Sequence, residues 1–406
     1  MNRTILIAIL FILALTTCID PYTLKLNDYE SLLVIDGIIT QEPVPYTIKL
    51  SRTFQDQDTV PDMVTHAEVR VENLQGNVEI FNEEAPGIYR SNPANFVGKT
   101  GETYTLYIKT IDGLEFESDP CLMTEAPEID SIYFTYDREF LNNGQEEEEG
   151  IRIFLNASNE NGVCNLFRWE FEEVWKFRIP YPVAYEYLGN EQVESIPVVN
   201  YACWNTNYSS EVLIHSIDQQ QSSQISKKPI NFIASRLSDR LLIQYSILVK
   251  QYSLTQPEYE FWSNLKQVSE GGGDIFEKQP FSVNGNIHCV NKLNQKVLGY
   301  FQVSDVKQKR RYITYKQLLE VDIPRYLYPC KRIDIGPIDY FDPENPGFQT
   351  LPTFDQIYSW YSGYVFVGPL YNGLALERLM FTSRVCSDCS MTGDLQKPDF
   401  WVDIIE

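Results

Sequence analysis

The strongest constraint on the fold is an alternation of apolar and polar residues that begins at Leu32. A period of two places every second side chain on the same face of a β-strand. Two segments predict hairpins, because Gly76 and Gly113 supply turns at their centres. The alternating segments are LLVIDGII (32–39), YTIKLSRT (46–53), HAEVRVENLQGNVEIFNEE (66–84) and ETYTLYIKTIDGLEFESDP (102–120).

These segments predict a β-sandwich of the immunoglobulin or fibronectin type, with about seven short strands in about 90 residues. We place this domain at residues 31–125. The stretch EAPEIDSIYF, which contains Pro127, is then the connection to a second domain at residues 126–406. The composition agrees, because 26 Tyr and 22 Phe against 5 Met favour strands. The predicted fold class is mainly β: an N-terminal immunoglobulin-like sandwich followed by a larger β-rich domain with a few inserted helices.

One helix is well defined in LTQPEYEFWSNLKQVSEGGG (254–273). Thr255 can cap its N-terminus and Glu258 completes a capping box. The apolar residues after them follow a helical spacing, and the three glycines at 271–273 end the helix. Weaker helical turns are predicted at 315–320 and 354–361.

Two further segments allow more than one interpretation. FRWEFEEVWKF (167–177) carries aromatic residues at alternating positions, which fits a sugar-stacking platform but favours a buried sandwich strand. GQEEEEG (144–150) has the ligand type for Ca²⁺, although consecutive glutamates cannot all point at one ion. A solvated acidic loop is the better interpretation.

The N-terminus carries a lipoprotein-like signal. Ile5 to Leu15 is an apolar run of 11 residues behind Arg3, which is too short to span a bilayer. Leu15-Thr16-Thr17-Cys18 then resembles the lipobox of bacterial lipoproteins, with Thr17 departing from the usual small residue. The resemblance implies a signal peptide at 1–17, acylation of Cys18 and a lipidated tether at 18–30. The alternative is a secretory signal that is cut elsewhere.

The expected location is the outer membrane, through the lipid anchor. Retention at the inner membrane commonly depends on an Asp directly after the acylated Cys, and here that residue is Ile19. The sequence leaves open whether the chain faces the periplasm or the medium. The net charge of −23 repels phosphate backbones and excludes nucleic acid as a partner.

Seven cysteines remain after Cys18, and two of them form the C-x-x-C motif Cys386-Ser-Asp-Cys389. We predict a structural disulfide, either within this pair or to Cys203 or Cys330. A thioredoxin-type site would require the motif to open a helix, and Ser-Met-Thr-Gly follows instead. A zinc site would need a second ligand pair, which the three histidines do not supply. We therefore expect no metal and no cofactor.

No catalytic motif is present: the sequence has no G-x-S-x-G, H-E-x-x-H, P-loop or dinucleotide fingerprint. Nothing singles out a carboxylate pair among the 56 acidic residues, so a surface hydrolase is a minor alternative. We expect a protein that is not an enzyme. Asp58-Thr59-Val60 resembles a Bacteroidota O-glycosylation site and makes Thr59 a candidate for that modification.

Several stretches together resemble one family of Bacteroidota outer-membrane lipoproteins, which is known mainly as a domain of unknown function. They run from Cys18 to Trp401, and Gly393-Asp394 departs from the expected fuller turn. The matching stretches are CIDPY, ESLLVIDGIIT, YTIKLSRT, RWEFEEVWKF, CW (203–204), YSILVKQYSLTQPEYEFWSNLKQ, GNIHCV, KVLGYFQVSDVKQKR and CSDCSMTGDLQKPDFW.

Such lipoproteins are typically encoded beside SusC-type TonB-dependent receptors, and the resemblance assigns no catalytic residues. It implies an accessory partner of an outer-membrane β-barrel that helps capture or gate a substrate. The alternative is a structural subunit of an outer-membrane protein assembly or secretion complex.

Overall fold

The computed structural model describes residues 31–53, 62–141, 146–159, 164–217, 224–270, 283–344 and 350–404. Of these residues, 49% lie in strands and 12% in helices, so the mainly-β prediction is confirmed. In this part of the chain no helix is long and apolar enough to cross a membrane. Cys18, Thr59 and the predicted signal peptide lie outside the described residues.

The strands follow the alternating segments of the sequence. In the first third of the chain they are β1 (Leu33–Ile39), β2 (Thr47–Arg52), β3 (Asp62–Met63), β4 (Glu68–Asn73), β5 (Val78–Ala85), β6 (Ile88–Arg90), β7 (Thr103–Lys109), β8 (Glu115–Ser118) and β9 (Cys121–Leu122). The next nine are β10 (Ile129–Leu141), β11 (Glu146–Ser158), β12 (Leu166–Arg178), β13 (Tyr185–Gly189), β14 (Gln192–Ser195), β15 (Ala202–Tyr208), β16 (Leu213–Ser216), β17 (Gln224–Ala234) and β18 (Gln244–Ser253). The last six are β19 (Ile287–Cys289), β20 (Val297–Val303), β21 (Val306–Thr314), β22 (Arg332–Ile335), β23 (Val365–Asn372) and β24 (Ala375–Thr382).

The first unit is an eleven-stranded sheet that surrounds one apolar core. Its strand order is β19-β8-β7-β4-β5-β6-β2-β1-β20, with β3 on β2 and β9 on β7. The alternation in the sequence corresponds to alternate burial in the sheet. Along β1 every second residue, from Leu33 to Ile39, is buried. The glycine turns at Gly76 and Gly113 have positive φ, as hairpin turns require.

Residues 285–303 return to this first unit. β20 pairs in parallel with β1, and β19 pairs with β8 in antiparallel fashion. Phe301 and Val303 are fully buried in the same core as Ile35 and Leu106. The predicted boundary at residue 125 assigns these residues to the second domain, because the strands of a parallel pair are joined through a long crossover that leaves no local signal in the sequence.

The second unit is a sandwich of two sheets, one with the order β10-β11-β17 and one with the order β15-β12-β18-β21, where β16 also pairs with β12. β12 contains the aromatic segment FRWEFEEVWKF. Phe167, Trp169, Trp175 and Phe177 are buried between the sheets, which confirms the interpretation as a buried strand.

The acidic run is part of a strand rather than a loop. Glu146–Glu149 belong to β11 and pair with β10, where Arg138 forms ion pairs with Glu147 (3.9 Å) and Glu149 (2.8 Å). Alternate residues of a strand point to opposite faces, so these four carboxylates do not converge on one point.

The third unit is smaller. It combines the β13–β14 hairpin with the sheet β22-β24-β23 and a short helix. Its core contains Tyr187, Phe366, Leu379 and Phe381.

The three predicted helices are confirmed. They are α1 (Gln256–Glu270), α2 (Tyr315–Leu319) and α3 (Phe354–Trp360), of which α3 covers the core of the third unit. Thr314 and Thr353 close capping boxes at the starts of α2 and α3.

Helix α1 joins the first two units through Glu258. This carboxylate accepts hydrogen bonds from the backbone N–H of Thr255 (2.7 Å) at the start of the helix and from the backbone N–H of Val303 (3.1 Å) in β20. Phe261 packs on Tyr300, with ring centroids 4.6 Å apart. Glu258 is fully buried, and burial raises its pKa to about 7.

The raised pKa of Glu258 predicts a pH dependence of stability. An acid that is harder to ionise in the folded state favours folding at low pH, and this contribution is lost as the pH rises from about 4.5 to 7. The expected loss is about 3 kcal/mol of unfolding free energy, from the difference between the two pKa values. His215, whose pKa is lowered by burial, acts in the opposite direction, because the folded state favours its neutral form.

The variant Glu258→Gln isolates this contribution because His215 is common to both proteins. Urea unfolding at pH 5, 6, 7 and 8 should show that the unfolding free energy falls less with rising pH in the variant than in the unchanged protein. The same pH slope in both proteins would contradict the assignment.

Candidate functional site

The two cysteines of the C-x-x-C motif are each in a disulfide with a distant partner. Cys389 is bonded to Cys203 of β15, and Cys386 is bonded to Cys330. A disulfide between Cys386 and Cys389 therefore does not form. Cys386 and Cys389 lie in two consecutive 3₁₀ turns, and each comes within 6 Å of its partner, measured between Cα atoms.

These bonds fix the C-terminal segment to the second unit. Trp204 exchanges backbone hydrogen bonds with Asp394 (2.8 and 2.9 Å), and Trp401 is buried with its ring 6.4 Å from that of Trp204. Asp403 binds Lys176 (2.9 Å) and Lys397 (2.8 Å), which lower its pKa to about 2. The segment is thus held by covalent, polar and apolar contacts together.

Two of the three free cysteines in the described part of the chain are poor candidates for a reactive site. Cys121 and Cys164 are buried thiols, and burial raises the pKa of both. Such thiols are poor nucleophiles, because the reactive species is the thiolate. Within the described ranges no group of three or more His, Cys, Asp or Glu residues could hold a metal ion.

The third unit carries an exposed aromatic surface, which we define as Tyr340, Phe341, Trp360, Tyr361 and Tyr364. Trp360 is 57% exposed and Tyr364 is 48% exposed. Four of the rings form two contacting pairs: Tyr340 packs edge-on against Trp360 (centroids 5.4 Å apart), and Tyr361 contacts Tyr364 (5.9 Å). An exposed group of large aromatic side chains marks an interaction site more often than a structural one.

The aromatic surface rests on a rigid base. Tyr361 stacks on the buried ring of Phe381, with centroids 5.0 Å apart, and helix α3 is anchored by the buried Ile357. Because the supporting rings are packed, the exposed rings are held in place before any partner arrives. Such preorganisation reduces the entropy lost on binding.

The aromatic surface has no local signal in the sequence. The residues that form it occur at 340–341 and 360–364, in segments without strand alternation, so nothing indicates that they share a face. Two other tryptophans have structural contacts: Trp204 is half-buried under the C-terminal segment. Trp262 lies 4.1 Å from the guanidinium carbon of Arg168 and donates to Gln302 (3.2 Å).

A protein-family model matches most of the chain. The family model described as "Domain of unknown function (DUF4249)" matches residues 19–310. The matched region covers the first unit and most of the second, whereas the aromatic surface follows it in the chain. No curated protein matches the chain.

Proposed function

The chain belongs to the family described as Domain of unknown function (DUF4249), and on that premise we propose that it is a non-enzymatic outer-membrane lipoprotein. It is anchored through Cys18 and acts as the accessory partner of a SusC-type TonB-dependent transporter of Bacteroidota. In this role it helps to capture or gate the substrate of the barrel.

The aromatic surface is the observation that carries the partnership. Protein interfaces are enriched in Tyr, Trp and Phe, and a few such residues commonly supply most of the binding energy. Trp360 and Tyr364 are exposed on a packed base, which suits an anchor that fills a pocket of a partner. An outer-membrane barrel is the partner that we propose, because the lipid anchor confines this chain to the membrane in which the barrel is embedded.

The two disulfides support export. Disulfides form and persist in oxidising compartments such as the periplasm and the cell surface, and they are rare in the cytosol of mesophiles. Cys203–Cys389 and Cys330–Cys386 are therefore consistent with a chain that is secreted before it folds.

We also propose that the first unit is an immunoglobulin-like sandwich. Its antiparallel pairs β1–β2, β4–β5 and β4–β7 and its single shared core support this assignment. The parallel pairing of β1 with β20 is an addition to that pattern.

The partnership is tested by affinity purification of the tagged full chain from detergent-solubilised outer membrane. We expect a TonB-dependent barrel in the eluate, and at least about tenfold less of it with Trp360→Ala plus Tyr364→Ala, because anchor residues cost 2 kcal/mol or more when truncated. Phe140→Ala is the matched control, since Phe140 is 64% exposed but lies on β10 of the second unit.

Recovery of the chain without any barrel would refute the partnership, as would equal recovery with the variant and the control. A barrel from an assembly or secretion machine in the eluate would instead support the alternative of a structural subunit. Depletion then separates the two roles: a transport partner gives a defect on particular nutrients, and a machine subunit gives general envelope damage.

A further inference from the structure

The second unit contains a cleft along one open side of its sandwich. On the opposite side the two sheets meet, and Lys309 of β21 donates to the backbone carbonyl of Ile129 (3.0 Å) in β10. On the open side the edge strands β15 and β17 stand apart. Between them lies a cavity of about 380 Å³, which is within the size range of small-ligand pockets.

The cleft exists because β12 changes its partner. β15 pairs with residues 172–178 of β12 and β16 pairs with residues 166–169, so residues 209–212 leave the edge of the sheet between them. Ser209 keeps contact by exchanging hydrogen bonds with the backbone of Phe171 (2.9 and 3.0 Å). The interruption opens the interior of the sandwich beside Phe171.

A buried carboxylate forms the floor of the cleft. Glu173 is only 2% exposed and lies on the inward, otherwise aromatic face of β12. It accepts hydrogen bonds from Asn207 of β15 (2.9 Å), Asn231 of β17 (2.8 Å) and the Tyr245 hydroxyl (2.6 Å). Arg240 lies 3.6 Å from its second oxygen. Glu173 thus connects the two edge strands and fixes both amides in the cavity.

The two guanidinium groups that line the cleft are already paired. Arg240 faces Glu173, and Arg152 forms ion pairs with Glu139 and with Asp137. The lining holds three carboxylates, of Glu139, Glu173 and Glu211, against two guanidinium groups. An anionic ligand would meet a net negative lining and would have to break an existing ion pair, so the lining disfavours anions.

The other lining groups suit a polyol. The ring of Phe171 provides an apolar face, and Tyr208, which is 66% exposed, stands at the opening. The amide oxygens of Asn207 and Asn231 can accept hydrogen bonds, because each amide is held by its donor bond to Glu173. Fixed acceptors beside an aromatic face match the hydroxyl groups and the apolar C–H face of a sugar ring.

The edges of the cleft disfavour an extended peptide. Strand addition needs a row of free backbone groups, but Pro229 lacks an N–H and lies at a register shift of β17. The edge of β15 is already covered at Trp204, which pairs with Asp394. Neither edge offers a continuous template.

We infer that this cleft is a binding site for a short, neutral saccharide. The inference adds a substrate class to the proposed capture role and in that sense rests on it. Its test uses the isolated lipoprotein, so that absence of saccharide binding and absence of a barrel partner are separate outcomes.

The test is calorimetric titration of the full chain, purified in a detergent without a sugar headgroup. The probes are maltotriose, cellotriose, xylotriose and mannotriose, with trigalacturonate and tetra-alanine as the anionic and peptide comparators. We expect at least one neutral trisaccharide to bind with a Kd below 1 mM. Tyr208→Ala should weaken it about tenfold, since the aromatic ring at the opening is lost.

Ser210→Arg is a second variant. The arginine side chain would fill the opening from an exposed position, and we expect it to abolish binding. Tyr371→Ala is the control, because Tyr371 is an exposed tyrosine of the third unit, outside the cleft. The inference is overturned if none of the four trisaccharides binds, if both variants bind as the control does, or if only trigalacturonate or tetra-alanine binds.

Discussion

Replacement of both Cys203 and Cys389 by Ala is expected to lower the free energy of unfolding by about 5 kcal/mol, as the entropy of a long closed loop predicts. The bond joins residues that are 186 positions apart, and both cysteines are fully buried. Without the disulfide the conformational entropy of the unfolded chain rises, whereas that of the folded state changes little, so the unfolded state is favoured. Urea unfolding of the two proteins under non-reducing conditions measures the difference.

Cys289→Ala is the control for this experiment, because Cys289 is half-buried and in no disulfide. We expect it to change the unfolding free energy by less than about 1 kcal/mol, because only one half-buried sulfur atom is removed and no disulfide is broken. If the double variant unfolds at the same urea concentration as Cys289→Ala, the bond does not provide the expected stabilisation.

Removal of the Glu173 carboxylate is the second large effect. In Glu173→Ala the amides of Asn207 and Asn231 and the hydroxyl of Tyr245 lose their acceptor inside the sandwich, and Arg240 loses its counter-ion. The loss of one partner from a buried ionic network costs about 3 to 5 kcal/mol, because the remaining polar groups stay desolvated. Thermal or urea unfolding should show this loss.

The neighbouring acid provides a matched control. Glu172 precedes Glu173 in β12 but points to the other face, where it pairs with Arg310 (3.0 Å) and keeps 24% of its side chain exposed. Glu172→Ala should cost less than about 1 kcal/mol, because a partly exposed ion pair contributes little. Equal destabilisation by the two variants would show that burial of Glu173 is not the cause.

Local signals predicted the elements well. The alternation in 32–39 and 46–53 became β1 and β2, and the Thr255 and Glu258 pair marked the start of α1. These predictions succeed because strand periodicity and helix capping depend on residues that are at most a few positions apart.

The sequence did not indicate which distant segments would meet. β20 pairs with β1 across more than 250 residues, and the partners of Cys386 and Cys389 were open among several choices. In each case the choice depends on burial summed over a whole core, which no short window of sequence contains.

The candidate sites differ in the same way. The N-terminal pattern that ends at Cys18 can be recognised in the sequence, because a lipid-attachment signal is a continuous motif. It stays a prediction, because Cys18 lies outside the described residues. The cleft could not be recognised in the sequence, because Glu173 is one of several charged residues in FRWEFEEVWKF. In the structure Glu173 lies on the same face of β12 as the buried aromatic residues, so its side chain points inward.

The sequence alone thus determined the mainly-β class and the helices, and it predicts a lipid anchor at Cys18; all three depend on local order along the chain. The tertiary structure decided which strands share a sheet, which cysteines bond, which aromatic rings stay exposed and which carboxylate is buried. The physical reason is that exposure and pairing depend on how much apolar surface the entire chain can remove from water.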